Sequence, residues 1–86
     1  MKQTTLLRFQ THPLCNKGER IHYRLYRLQS IGSTACYQLQ ITFRADCKTC
    51  SLSVEDEREA KRIYDLIVRG RVTPCCLSDV LEDIGV

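Results

Sequence analysis

Residues Ser53 to Ile84, SVEDEREAKRIYDLIVRGRVTPCCLSDVLEDI, read as two capped amphipathic helices joined by Gly70-Arg71-Val72-Thr73-Pro74. Ser53 is placed to cap the first helix, with Asp56 three residues on and Glu55 and Glu57 adding negative charge where the helix dipole favours it. Ala60, Ile63, Tyr64, Ile67 and Val68 then recur at helical spacing as one apolar stripe. Gly70 ends that helix. Thr73-Pro74 restarts one, a hydroxyl cap followed by a proline whose missing N–H costs nothing at the first helical position. Leu77, Val80, Leu81 and Ile84 form the buried face of the second helix. The predicted helical spans are 54–69 and 74–84.

Upstream of the helices the periodicity changes from that of a helix to that of a strand. Ala35, Tyr37, Leu39, Ile41, Phe43 and Ala45 alternate with Thr34, Cys36, Gln38, Gln40, Thr42 and Arg44, the pattern of a sheet with one dry and one wet face. Strands are expected over 4–11, 20–29, 34–45 and, after a turn at Asp46-Cys47-Lys48-Thr49, over a short 50–53. Ile21, Tyr23 and Leu25 supply the dry face of the second strand. Arg27 falls in phase with them while Tyr26 and Leu28 fall outside, which implies either a bulge or the edge of the dry face. The fold class is therefore α+β: a two-layer domain over 1–86, a four-stranded antiparallel meander with two C-terminal helices packed on one face. Its core is assigned to Tyr37, Leu39, Ile41, Phe43, Ile63, Ile67, Leu77 and Leu81.

A chain of 86 residues leaves room for one core and for a function on a surface, terminus or interface, rather than in a roomy cleft. No apolar run is long enough to span a bilayer, and Met1 to Thr11 lacks the apolar segment of a secretory signal, so a soluble, cytoplasmic protein is expected. Residues 1–50 carry eight Lys and Arg against two Asp and Glu, and residues 51–86 carry five against eight. The net charge of +3 is too small to indicate nucleic-acid binding by itself. Asp79, Glu82 and Asp83 crowd the C-terminal end of the second helix, where the dipole disfavours anions. They call for a basic neighbour such as Arg27 or Arg71, or else form an acidic docking patch.

The run Val72-Thr73-Pro74, continued by Leu77-Ser78-Asp79-Val80-Leu81-Glu82-Asp83 and preceded by Ser53-Val54-Glu55-Asp56, resembles a family of short bacterial proteins known only as a domain of unknown function. Tyr37-Gln38-Leu39-Gln40-Ile41 fits the same pattern, and the resemblance covers residues 37–84 best. It implies a small uncharacterised bacterial protein and carries no activity, ligand or catalytic residue. The cysteines are not part of that pattern.

Six cysteines and two histidines are the other conspicuous feature. Cys47-x-x-Cys50 has the spacing of a metal knuckle, and His12-x-x-Cys15 that of half a further site. In an antiparallel meander the first and third turns lie at one end of the sheet, so His12, Cys15, Cys47 and Cys50 are candidates for a tetrahedral zinc site. The first helix, about 22 Å long, runs back and returns Cys75 and Cys76 to that end, in a first helical turn where thiolates are favoured. A redox role for Cys47, Cys50, Cys75 or Cys76 is the weaker reading, because a Cys-x-x-Cys oxidoreductase places its pair ahead of a helix in a βαβ unit. Reduced thiols serving as small side chains, with no cofactor, are the default.

No nucleophile elbow, phosphate loop or His-Glu-x-x-His is present, so a non-enzymatic protein is expected. Arg8, His22, Arg24, Tyr26, Gln38, Gln40 and Arg44 are assigned to the wet face, with Tyr26 as its stacking ring. Such a face suits an acidic protein partner, self-association or, as an alternative, single-stranded nucleic acid. The leading reading is a protein-interaction or regulatory module, with Arg24, Tyr26, Arg44, Asp79, Glu82 and Asp83 as interaction candidates. A small zinc-binding protein is the first alternative, and no membrane partner is expected.

Overall fold

The alternation around Tyr37 dictates the centre of the molecule. In the computed structural model, which describes residues 2–14, 18–30, 32 and 34–85, the chain runs β1 (Lys2–Leu14), β2 (Glu19–Ser30), β3 (Cys36–Phe43), β4 (Asp46–Leu52), α1 (Glu57–Arg69), a 3-10 turn (Pro74–Cys76) and α2 (Leu77–Ile84). The strands form one antiparallel sheet in the order β1-β2-β3-β4, and both helices lie against one face of it. Ile21, Tyr23 and Leu25 on β2 and Tyr37, Leu39 and Ile41 on β3 are buried with Ala60, Ile63, Tyr64 and Ile67 of α1 and Leu77 and Leu81 of α2. Phe43 packs on the margin of this core, half-buried.

β1, β2 and β4 are longer than their periodicity indicates and β3 is shorter, with a tighter hairpin between β3 and β4. Phe43 pairs with Asp46, so the connection is Arg44-Ala45 alone, with Arg44 at a left-handed φ of 57°. Two-residue hairpins need such a residue to match the twist of the strands, and they usually mark it with glycine or asparagine. Asp46 to Thr49, expected as a turn, is thus the first half of β4. Between β2 and β3 the register is continuous through Arg27, which pairs with Tyr37. The bulge instead lies in β1, where Leu7 is the extra residue between the pairs Leu6–Tyr26 and Arg8–Leu25.

Arg27 keeps its inward phase because the helical layer meets it there with a carboxylate. Its guanidinium lies 3.2 Å from Glu57, in the first turn of α1, and Lys61 approaches the same carboxyl at 2.9 Å. The Lys61 hydrogen bond, aided by both positive charges, holds Glu57 below its usual range against a smaller opposing effect of burial. The cap of α1 is Asp56 rather than Ser53: the Asp56 side chain accepts from the Arg58 N–H at 3.1 Å.

At its other end α1 closes with the Arg71 N–H bonded to the Val68 carbonyl and the Val72 N–H to that of Ile67, the paired bonds of a Schellman motif. Arg71, not Gly70, takes the left-handed position, at φ 52°. Its guanidinium folds back to donate to the Val68 carbonyl at 2.7 Å. Val72 is buried, and its carbonyl accepts from the Tyr23 hydroxyl at 3.0 Å. Tyr64 in turn donates to the Tyr23 carbonyl at 3.0 Å. These two tyrosines pin the interhelical connection and α1 to β2, with both hydroxyls satisfied inside the core.

Candidate functional site

The two faces of the sheet differ in cover and in charge. Side chains of a regular strand alternate, so the residues out of phase with Ile21, Tyr23, Leu39 and Ile41 point away from the helices. On β2 these are Arg20, His22, Arg24, Tyr26 and Leu28. On β3 they are Cys36, Gln38, Gln40 and Thr42, and on β4 Cys47, Thr49 and Ser51. The bulge at Leu7 adds both Leu6, paired with Tyr26, and Phe9, paired with Arg24. Leu6 and Phe9 are each 50% exposed, whereas Leu7 packs against the core.

A stacked group occupies the middle of this outer face. The Phe9 ring lies 6.1 Å from the His22 ring at an interplanar angle of 19°, and the Arg24 guanidinium carbon is 4.8 Å from the Phe9 centroid. His22 is oriented by a 2.9 Å hydrogen bond between its Nδ1 and the Thr11 hydroxyl. Gln40 donates to the Thr49 hydroxyl at 3.2 Å, which ties β3 to β4 on the same surface. Among the described residues no carboxylate side chain stands on this face. Glu19 and Asp46 are in the inward phase of their strands, Glu55 and Asp56 lie in the segment before α1, and the remaining six acids are on the helices. A planar cation, three rings and amide groups on a carboxylate-free surface can receive an anionic partner that also carries apolar groups.

Two residues assigned to that face from sequence belong elsewhere. Arg8 pairs with Leu25 and so lies in the inward phase, on the helical side, and Phe9, paired with Arg24, takes the place expected of it. Arg44 sits in the β3–β4 turn, where it bonds Glu19 at 2.5 Å and lies over the Phe43 ring at 5.0 Å, on the inward side. Of the interaction candidates, Arg24 and Tyr26 share the outer face. Asp79, Glu82 and Asp83 lie on the opposite layer, exposed on α2, and among the described residues none of the three has an ion-pair partner. Neither Arg27 nor Arg71 reaches them, since one is engaged by Glu57 and the other by Val68.

Of the candidate zinc ligands, His12, Cys47 and Cys50 are not brought together. Cys47 and Cys50 are both inside β4, three residues apart, so they leave opposite faces of the sheet: Cys47 accepts from the Thr42 hydroxyl at 3.6 Å outside, while Cys50 lies 3.7 Å from Ser78 of α2 inside. His12 stands on β1, the far edge, three strand spacings or about 14 Å from β4. It bonds Gln10 at 3.0 Å and meets the Tyr23 ring edge-on. Cys15 lies outside the described residues. Among the described residues no three His, Cys, Asp or Glu side chains are grouped to hold one ion. Cys36, Cys47, Cys50, Cys75 and Cys76 are free thiols.

The topological expectation for the second helix is met in one respect. Cys75 reaches the start of β4, where it lines one cavity with Asp46, Cys47, Lys48 and Pro74. Compared with known proteins, the chain matches no protein-family model, no curated protein and no solved structure. None of the described helices is long and apolar enough to cross a membrane.

Proposed function

We propose that the protein is a non-enzymatic docking module that binds an acidic, apolar-bearing protein segment on the outer face of its sheet. The observation that carries this reading is the composition of that face: Arg20 and Arg24 with no carboxylate side chain on the same face among the described residues, and Leu6 and Phe9 half-exposed next to His22 and Tyr26. Exposed apolar side chains around a planar cation are characteristic of protein-docking surfaces, where aromatic residues and arginine carry most of the binding energy. Two arginines are few for a surface that tracks a phosphate backbone, which favours a protein over a nucleic acid. Five free thiols suit a reducing compartment, and a cytoplasmic location is part of the proposal. So is kinship with the short bacterial family, supported by the residues between 37 and 84.

The test is an amide-resolved NMR titration with a short peptide alternating Glu and Leu, its Lys-for-Glu counterpart, and oligothymidine. The acidic peptide is expected to shift Phe9, His22, Arg24 and Tyr26, less so as salt rises, and Arg24→Glu to abolish the shifts with the fold intact. Shifts confined to α1 and α2, or equal response to the basic peptide, would overturn the reading. Tighter binding of oligothymidine would replace it with the nucleic-acid alternative, and concentration-dependent dimerisation through the same residues with self-association.

A further inference from the structure

Cys75 and Cys76 take no part in the proposed docking face, and Cys75 differs from the other thiols in its contacts with Thr73 and Cys76. Asp46, Cys47, Lys48, Pro74 and Cys75 line an open cavity of about 260 Å³ where β4 begins. The Cys75 sulfur is 3.4 Å from the Thr73 hydroxyl and 3.8 Å from the Cys76 sulfur, and both cysteines are exposed. Thr73 precedes the 3-10 turn, yet its hydroxyl caps no backbone N–H and is turned to the sulfur instead. The Thr73 hydrogen bond, followed by that from Cys76, holds the Cys75 thiol below its ordinary value; burial and the Asp46 carboxylate oppose them and are outweighed. The Cys36 thiol is differently placed, donating to the Thr34 carbonyl at 4.0 Å.

Neighbouring cysteines are poorly placed to bond each other. Their Cα atoms are held about 3.8 Å apart by one trans peptide, under the roughly 4.4 Å at which disulfide geometry begins. The pair is better suited to act as one nucleophile and its hydrogen-bond donor. Beside it, Asp46 and Lys48 are both exposed and present opposite charges to the same cavity. These surroundings match a small molecule that brings an ammonium, a carboxylate and an electrophilic sulfur.

We propose that Cys75 is a thiol-exchange site for a small zwitterionic disulfide of the cystine type, with Thr73 and Cys76 as the donors that stabilise its sulfur anion. The Cys75 thiolate attacks one sulfur of the disulfide, a new S–S bond forms as the old one breaks, and the electron pair departs on the second sulfur, which takes a proton from water. The Cys75 sulfur is oxidised and the released half is reduced to a thiol, so no further oxidant is needed. Lys48 faces the carboxylate of the incoming molecule and Asp46 its ammonium. The mixed disulfide persists because Cys76 cannot readily displace it.

The test exposes the fully reduced chain to cystine at neutral pH, with acid quenching and peptide mass mapping. Cys75 is expected to be modified about three- to tenfold faster than Cys36, Cys47 or Cys76. Cys76→Ala and Thr73→Val should each slow Cys75 several-fold, and Cys76→Ser, which restores a donor, should recover the rate. Cystine should outpace both cystamine, which has no carboxylate, and dithiodipropionate, which has no ammonium, and Lys48→Ala with Asp46→Ala should remove that preference. Reaction first at Cys36 or Cys47, a Cys75–Cys76 disulfide as the product, or an unchanged rate in Cys76→Ala would each overturn the proposal. The docking titration is independent of every one of these outcomes.

Discussion

Tyr23→Phe isolates one atom on which the interhelical connection depends. Tyr23 is fully buried, and the substitution keeps its ring while deleting the hydroxyl that donates to the Val72 carbonyl at 3.0 Å. Val72 is itself buried in a turn, so the carbonyl loses a partner with little access to water. An acceptor orphaned in this way costs about 1–3 kcal/mol. For a domain of this size that corresponds to a fall in Tm of about 4–8 °C per kcal/mol. Tyr64→Phe is the matched control. It removes a hydroxyl of equal burial, but the acceptor is the carbonyl of Tyr23, inside a strand paired on both sides and already supplied by the ladder. Its cost should be nearer the ordinary net value of about 0.5–1.5 kcal/mol. Urea unfolding followed by far-UV circular dichroism measures both, and the midpoint should move without a change in slope. Tyr64→Phe costing as much as Tyr23→Phe, or Tyr23→Phe costing nothing, would refute the claim that the Val72 carbonyl depends on this hydroxyl. Val72 lies three residues before Cys75, so Tyr23→Phe should also bring the thiol-exchange rate of Cys75 closer to that of the other cysteines.

Two further predictions test other parts of the packing. Burial pushes the Tyr64 hydroxyl up to about 12, above its ordinary 10.0, with the nearby Asp65 charge adding to the effect and Arg8 opposing it. The neutral form is thus favoured by folding: this contribution is complete below pH 10 and is lost as pH rises to 12, by about 2 kcal/mol at the upper end. Wild type should therefore lose stability over that interval more steeply than Tyr64→Phe, and parallel pH profiles would contradict the assignment. At the start of α1, Asp56→Ala should cost about 0.5–2 kcal/mol, because its side chain caps the Arg58 N–H, while Ser53→Ala should stay within about 0.5 kcal/mol in thermal denaturation.

The legible parts of this fold are those in which local pattern and burial agree. The alternation from Tyr37 to Phe43 fixed a half-buried strand, and the stripe from Ala60 to Val68 fixed a helix, because each pattern has only one face to bury. The β3–β4 hairpin was misplaced for a physical reason: its left-handed residue is Arg44, which carries none of the usual sequence marks of a tight turn, while Asp46 to Thr49 is polar enough to resemble one. Arg71 at the end of α1 is a second such case, with the helix-ending glycine one position early. At the cap, Ser53 and Asp56 are equally acceptable by residue type, and the path of the chain out of β4 decides between them. Tyr23 on the dry face and Tyr64 in the apolar stripe enter the core fully, as their phases indicate, while the backbone carbonyls that satisfy their hydroxyls are supplied by tertiary packing that no local pattern shows.

The site depends on strand phase, and two pairs of residues with the same spacing show how. Leu6 and Phe9 are three apart on β1; Cys47 and Cys50 are three apart on β4. In a regular strand that spacing sends two side chains to opposite faces, and this is the fate of the cysteines, one outward to Thr42 and one inward to Ser78. On β1 the extra residue at Leu7 absorbs one step of the alternation, so Leu6 and Phe9 emerge on the same face while Leu7 turns to the core. Residue spacing cannot separate the two cases, because a bulge adds a position without any distinctive residue type, and Leu6-Leu7 offers an apolar side chain to either phase. The consequence reaches past β1. Without the bulge Phe9 would lie on the outer face and Leu6 on the inner, with the bulky Leu7 outward opposite Tyr26; with it, two half-exposed apolar side chains flank the Arg24 stack while a third seals the core edge. One inserted residue thereby sets Leu6 rather than Leu7 beside Tyr26 on the outer face and frees Leu7 to pack against the core beneath it.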